Sequence, residues 1–276
     1  MQVQITKEIK DKIKEHYDKV SPYYQKLWGN HIHHGYYVSG KESKEGAAEN
    51  LIKLLVSKAQ IKKNSNVLDI GCGVGGTSIW LAKNYGCKVR GITISPIQVE
   101  MAKKLCKNEK LEFEPEFFVS DANNLNLKRK YGVIWSVEMI SHLENRKDFL
   151  AKCAEGLEVG GKLIIADWFR DSGLNKKKTE DYIVPIEEGM MVSLWTSKDY
   201  RGILEMNGLK LRYYEDISNN VKKTWDICLD IIKKKEFWGL AIKYGGDFVH
   251  FLKAFNSMKN GFDSGAFRYE VMVLEK

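Results

Sequence analysis

Paired cysteines, prolines and long apolar runs are what this sequence has little of. Its 276 residues include only five cysteines and four prolines. The cysteines stand singly at 72, 87, 106, 153 and 228 with no C-x-x-C pair. That spacing excludes a zinc finger or a disulfide-stapled scaffold and implies reduced thiols in a cytoplasmic protein. No run is apolar for the roughly 20 residues a bilayer span needs, so no integral membrane segment is expected, and the polar N-terminus is unlike a signal peptide. Charge of one sign is not concentrated either. The formal net charge is +8, but the excess is spread along the chain. The short runs Lys176-Lys177-Lys178 and Lys233-Lys234-Lys235 each have an acid close by, which reads as solvated surface rather than a nucleic-acid interface.

What is present is a strand–helix alternation, with 43% hydrophobic residues to fill a core. Ile5, Ile9, Ile13, Tyr17 and Val20 recur at steps of four and three, an amphipathic helix that Ser21-Pro22 is expected to end. A second helix is predicted over Glu45–Ala59. Apolar strands follow at Asn66–Ile70, Lys88–Ile92, Glu116–Ser120, Gly132–Ser136 and Lys162–Ala166. Helices at Thr77–Tyr85, Pro96–Lys107 and Arg146–Gly156 fall between them. This order predicts an α/β fold with a mostly parallel sheet and helices on both faces. Leu209–Tyr214 and Tyr269–Leu274 are expected to add a final antiparallel pair around an α-helical lid. The chain divides as an N-terminal segment (1–60), a nucleotide-type core (61–170) and the rest of the core with its inserted lid (171–276).

The segment Asp69-Ile70-Gly71-Cys72-Gly73-Val74-Gly75-Gly76 turns the first strand into a helix. Glycines there admit a ligand close to the backbone and leave helix amides free. Gly71-x-Gly73-x-x-Gly76 also satisfies the dinucleotide fingerprint. Two features separate the readings. Asp69 would repel a pyrophosphate yet suits an ammonium, and no acid lies between Arg90 and Glu100, where a dinucleotide enzyme places its ribose ligand.

Val67-Leu68-Asp69-Ile70-Gly71-Cys72-Gly73-Val74-Gly75-Gly76 resembles the first motif of class I methyltransferases, which have a Rossmann-like fold. Trp28-Gly29-Asn30-His31-Ile32-His33-His34-Gly35-Tyr36-Tyr37, Gly91-Ile92-Thr93-Ile94-Ser95-Pro96-Ile97-Gln98 and Trp135-Ser136-Val137-Glu138 narrow it. Together they resemble the gamma-tocopherol methyltransferase group, which is similar to plant alkaloid N-methyltransferases, sarcosine/dimethylglycine methyltransferases and, more distantly, cyclopropane-fatty-acid synthases. The resemblance implies S-adenosyl-L-methionine as cofactor. It sets Gly71 and Gly73 against the methionine and ribose, with Asp69 toward the methionine ammonium, and Thr93 with Gln98 on the ribose hydroxyls. Asp121 and Ala122 then stand at the adenine, and Trp135 and Ser136 beside the sulfonium. Relatives with Glu-His where this chain has Ser141-His142 mark a departure.

His142, just past the fourth strand, is a candidate general base, and His33 a candidate contact to cofactor or acceptor. Adjacent histidines at 31, 33 and 34 without complementary ligands do not make a metal site. Trp168, Trp195, Trp225, Phe237, Trp238, Phe248, Phe251 and Phe255 are expected to supply lid and core. The acceptor is then a small, largely apolar molecule of prenyl quinol, terpenoid, prenyl diphosphate or alkaloid type. The alternatives are a small amine such as sarcosine, an NADP-linked oxidoreductase, or a non-catalytic binding module.

Overall fold

The computed structural model describes residues 4–233 and 246–276, without the side chains of residues 27 and 246–251. Phe237 and Trp238, and the side chains of Phe248 and Phe251, lie outside the described residues.

Strands β1 (Asn66–Ile70), β2 (Lys88–Thr93), β3 (Glu116–Val119), β4 (Tyr131–Val137), β5 (Leu157–Arg170), β6 (Lys210–Asp216) and β7 (Phe267–Glu275) form one sheet. Its order is β3-β2-β1-β4-β5-β7-β6. The five strands from β3 to β5 are parallel, while β7 runs antiparallel between β5 and β6. Period-two alternation divides their side chains between two cores. Val67, Val133, Trp135, Ile164 and Ala166 pack on one side with α2 (Lys44–Ala59). Leu68, Ile70, Ile134, Leu163 and Ile165 pack on the other with α5 (Arg146–Gly156). A smaller cluster closes α3 (Gly76–Tyr85) and α4 (Pro96–Cys106) around Phe117. All five cysteines are buried as free thiols.

Two expectations are corrected. α1 (Lys7–Trp28) does not stop at Ser21-Pro22 but carries Pro22 inside it. An interior proline costs about 3 kcal/mol through the lost hydrogen bond and ring clash. Anchors in the turn before Pro22 offset that cost. Ser95 Oγ donates to Asp18, Gln98 Nε2 donates to Ser21 Oγ at 3.0 Å, and Val20 is buried in the core. β5 is also longer than Lys162–Ala166, because β7 pairs with it as far as Arg170 and carries Trp168 and Phe169 into the strand.

The chain moves outward from β1 to β3, then returns to set β4 on β1's other side. Beyond the carboxyl ends of β1 and β4 the connections therefore diverge, and a crevice opens where open α/β sheets bind ligands. α1 and the segment through His34 cross that crevice. The helices Val184–Met190, Lys223–Ile232 and Gly246–Ser264 cover its far side.

Candidate active site

Three adjoining cavities fill the crevice, and shared residues join them. The first, of about 390 Å³, lies over the glycine loop between Asp69, Gly71, Gly73, Thr77, Trp135 and the His31–His33 segment. The second, of about 820 Å³, runs past Thr93, Gln98, Asp121 and Ala122 beneath α1. The third, of about 770 Å³, is an aromatic chamber walled by Tyr17, Tyr24, Trp28, Trp168, Trp225 and Phe255. Gly71, Gly73 and Val137 border the first two, while Tyr17, Glu138 and His142 border the last two.

The loop is shaped to receive a ligand. Gly71 and Gly73 have φ of +80° and +52°, which only glycine adopts freely. A Cβ at Gly73 would meet no atom within 4 Å, so it would project into the space bordered by the first two cavities. No side chain caps α3, and its first turn holds no acid. A Cβ at Gly76 would lie 2.0 Å from the Asn30 carbonyl, so this third glycine lets the histidine segment sit against the helix start. Asp69 is buried and accepts from Ser78 Oγ at 2.6 Å; burial raises its carboxyl to about 6.

Thr93 and Gln98 meet directly, Thr93 Oγ1 donating to Gln98 Oε1 at 2.6 Å. The Gln98 amide thereby ties β2's end to α1 through Ser21. Burial works against the charge of Asp121, but Lys10 at 2.9 Å and the Asn123 amides hold its carboxyl below the usual range. Trp135 lines the first cavity. Ser136 does not line any of the three: strand alternation turns it to the opposite side, fully buried, and Val137 takes the cavity position.

His33 and His142 both reach the chamber. His33 Nδ1 lies 2.9 Å from the His34 carbonyl, which only accepts, so Nδ1 carries the proton and Nε2 the lone pair. That Nε2 is buried with no hydrogen-bond partner among the described residues. His142 is arranged likewise, Nδ1 donating to the Met191 carbonyl at 3.1 Å and Nε2 facing the Tyr17 hydroxyl at 3.4 Å. Burial lowers both imidazoles, His142 to about 4, so both are neutral near pH 7.

The sequence reading missed the group at the junction of chamber and cleft. Glu138, at φ +51°, follows β4. Its Oε1 accepts from the His34 amide (2.7 Å), His34 Nδ1 (3.0 Å) and the Tyr269 hydroxyl (2.9 Å). An acid immediately after an apolar strand at the topological switch was the available signal. The aromatic expectation divides. Trp168, Trp225 and Phe255 wall the chamber, whereas Trp195 stacks on Tyr200 in the opposite core. Arg90, on β2, pairs with Glu116 at 3.0 Å and lies over Phe118. Among the described residues no His/Cys/Asp/Glu cluster could hold a metal, and no helix is long and apolar enough to cross a membrane.

The chain resembles known proteins in sequence and in fold. Residues 4–227 match the family model described as mycolic acid cyclopropane synthetase. A chloroplastic tocopherol O-methyltransferase of Arabidopsis thaliana is 26% identical, over 98% of this chain and 83% of its own length. Norajmaline N-methyltransferase of Rauvolfia serpentina is 28% identical, over 96% and 97%. A mycolic acid cyclopropane synthase solved with SAH and CTAB superposes with a TM-score of 0.85 at 15% identity, covering 96% of this chain and 98% of its own.

Proposed function

The chain belongs to the mycolic acid cyclopropane synthetase family, and from that membership we propose that it carries a methyl group from S-adenosylmethionine to a small apolar acceptor held in the aromatic chamber. It is an S-adenosylmethionine-dependent methyltransferase of the class I, Rossmann-like fold. The observation that carries the acceptor reading is the chamber itself, walled by aromatic and apolar side chains and meeting the cofactor cleft at Tyr17, Glu138 and His142.

The residues divide the work between the two spaces. Asp69 and the Gly71–Gly73 turn hold the methionine end, Thr93 and Gln98 the ribose, and Asp121 with the Ala122 amide the adenine. Trp135 and Val137 form the wall nearest the sulfonium; Ser136 supports them from behind. When bound, the cofactor supplies an electrophilic methyl on a positively charged sulfur. The protein's part is alignment and exclusion of water, since displacement at carbon needs an in-line approach. Neutral imidazoles at His33 and His142 place lone pairs by that approach without repelling the sulfonium. His33 Nε2 is the better placed to accept a proton, because that of His142 already faces Tyr17. The chamber suits prenyl quinol, terpenoid and alkaloid skeletons, whose burial gains about 25 cal/mol per Å².

Calorimetric titration with S-adenosylmethionine, S-adenosylhomocysteine and NADPH, followed by an acceptor screen, tests this. Micromolar binding of the first two, none of NADPH, and turnover of an apolar acceptor are expected. Binding of NADPH in their place, or methylation of sarcosine and glycine alone, would overturn it.

A further inference from the structure

Among the described residues the chamber's lining holds a single carboxylate, Glu138, and no lysine or arginine. Glu138 is nearly enclosed, its side chain 11% exposed. All three of its hydrogen bonds fall on Oε1. Oε2 takes none from the described residues, yet it is not among the sealed polar atoms, and Glu138 borders both the chamber and the cofactor cleft. The φ of +51° is a conformation that a non-glycine residue keeps only when its surroundings enforce it. Here His34 on one side and Tyr269 on the other do so, fixing one oxygen and leaving the second toward the shared wall. His34 is itself packed among Trp168, Trp225, Phe262 and Tyr269.

An enclosed carboxylate oxygen without a partner is costly, and the cost is removed by a ligand that brings a donor or a positive charge. From this juxtaposition we propose that the acceptor is an apolar amine whose nitrogen sits against Glu138 Oε2, its hydrocarbon body filling the aromatic chamber. The inference rests on the chamber being the acceptor site, and narrows it to one class. A diphosphate would meet the one carboxylate and no described basic side chain, and a hydrocarbon or ether would leave Oε2 unpaired. The faces of Tyr24, Trp28, Trp168 and Trp225 suit the nitrogen as it arrives cationic, since an aromatic quadrupole attracts positive charge. The Nε2 of neutral His33, without a partner among the described residues, then takes its proton, which frees the nitrogen lone pair to receive the methyl.

The test uses the full chain saturated with S-adenosylhomocysteine and compares isosteres: 4-phenylpiperidine, a cationic amine, against 4-phenyltetrahydropyran, its neutral ether, with geranyl diphosphate as the anion. Calorimetry is expected to give at least tenfold tighter binding of the amine than of the ether, and none of the diphosphate. In Glu138→Gln the amine should fall to the level of the ether while the ether is unchanged. Tyr269→Phe, which keeps the charge, should keep the preference. Should Glu138→Gln fail to fold by circular dichroism, Glu138→Asp, with its shorter reach, should lower the preference. Equal binding of amine and ether by the parent, tighter binding of the diphosphate, or a preference untouched in Glu138→Gln or Glu138→Asp would each overturn the proposal. Failure of S-adenosylhomocysteine to bind at all would instead strike the methyltransferase reading, so the two failures are distinguishable.

Discussion

Asp69 and Gly73 show how much one position can decide. Gly73→Val would force a β-branched side chain into a positive φ and fill the space its backbone leaves open. Cofactor affinity should fall at least tenfold, about 1.4 kcal/mol by titration, with Asp69→Ala comparable. Asp69 also fixes a pH dependence. In the ligand-free protein burial holds its carboxyl at about 6. An ammonium bound beside it favours the ionised form, so below that value binding must expel a proton. Affinity should therefore fall toward tenfold per pH unit between pH 6 and 5 and be level above 7. A flat profile that Asp69→Asn reproduces would refute the pairing. The roles of Asp69, Gly73, Thr93 and Gln98 were all proposed from sequence, because loop, strand end and helix start are contiguous there. Glu138 was not, since its partners His34 and Tyr269 lie 104 and 131 residues away and no local pattern announces them.

At the scale of the element, α1 does most to close the site. It lends Lys10, Ile13 and Tyr17 to the cavity walls and is pinned by polar contacts to Asp121, Ser95, Gln98 and His142. Polar pins with exposed members hold weakly: the Lys10–Asp121 pair, about a quarter exposed on both sides, is worth on the order of 0–1 kcal/mol. Lys10→Ala with Gln98→Ala should speed amide exchange along residues 7–28 and leave the strands protected. Equal exchange in parent and double variant would show that α1 is held by other means. The helix period of α1 was readable, but its length was not. Pro22 is a local stop signal, and only contacts 77 residues away in sequence, such as Gln98 on Ser21, override it. β1 to β4 were legible within about one residue of their ends, because their apolar runs end abruptly, whereas β5 outruns its apolar run where β7 pairs with it.

For the whole molecule, acid should be the weak side. His16, His31 and His142 are kept neutral by burial, at about 4, 3 and 4. An unfolded histidine titrates near 6.5, so between those values the unfolded state binds more protons and stability falls as pH falls. Asp69 and Asp167, raised to about 6, act in the opposite direction but are fewer. The thermal midpoint should drop between pH 6.5 and 4.5, and His142→Gln should make the drop shallower. A midpoint that rises over that range would contradict the burial of these rings.

The position of β7 has a consequence in time. β6 precedes it in the chain, yet among the described residues β6 pairs with the sheet only through β7. Until residues 267–275 are in place, β6 has no neighbour to pair with and β5 keeps an open edge, while β1 to β5 can already assemble. A chain leaving the ribosome, or one diluted from denaturant, should thus form its cofactor half first and pass through a stage with a bare strand edge, the kind of edge on which chains associate. Loss by aggregation during refolding should rise with protein concentration and lessen when S-adenosylhomocysteine is present, if that early half already binds it.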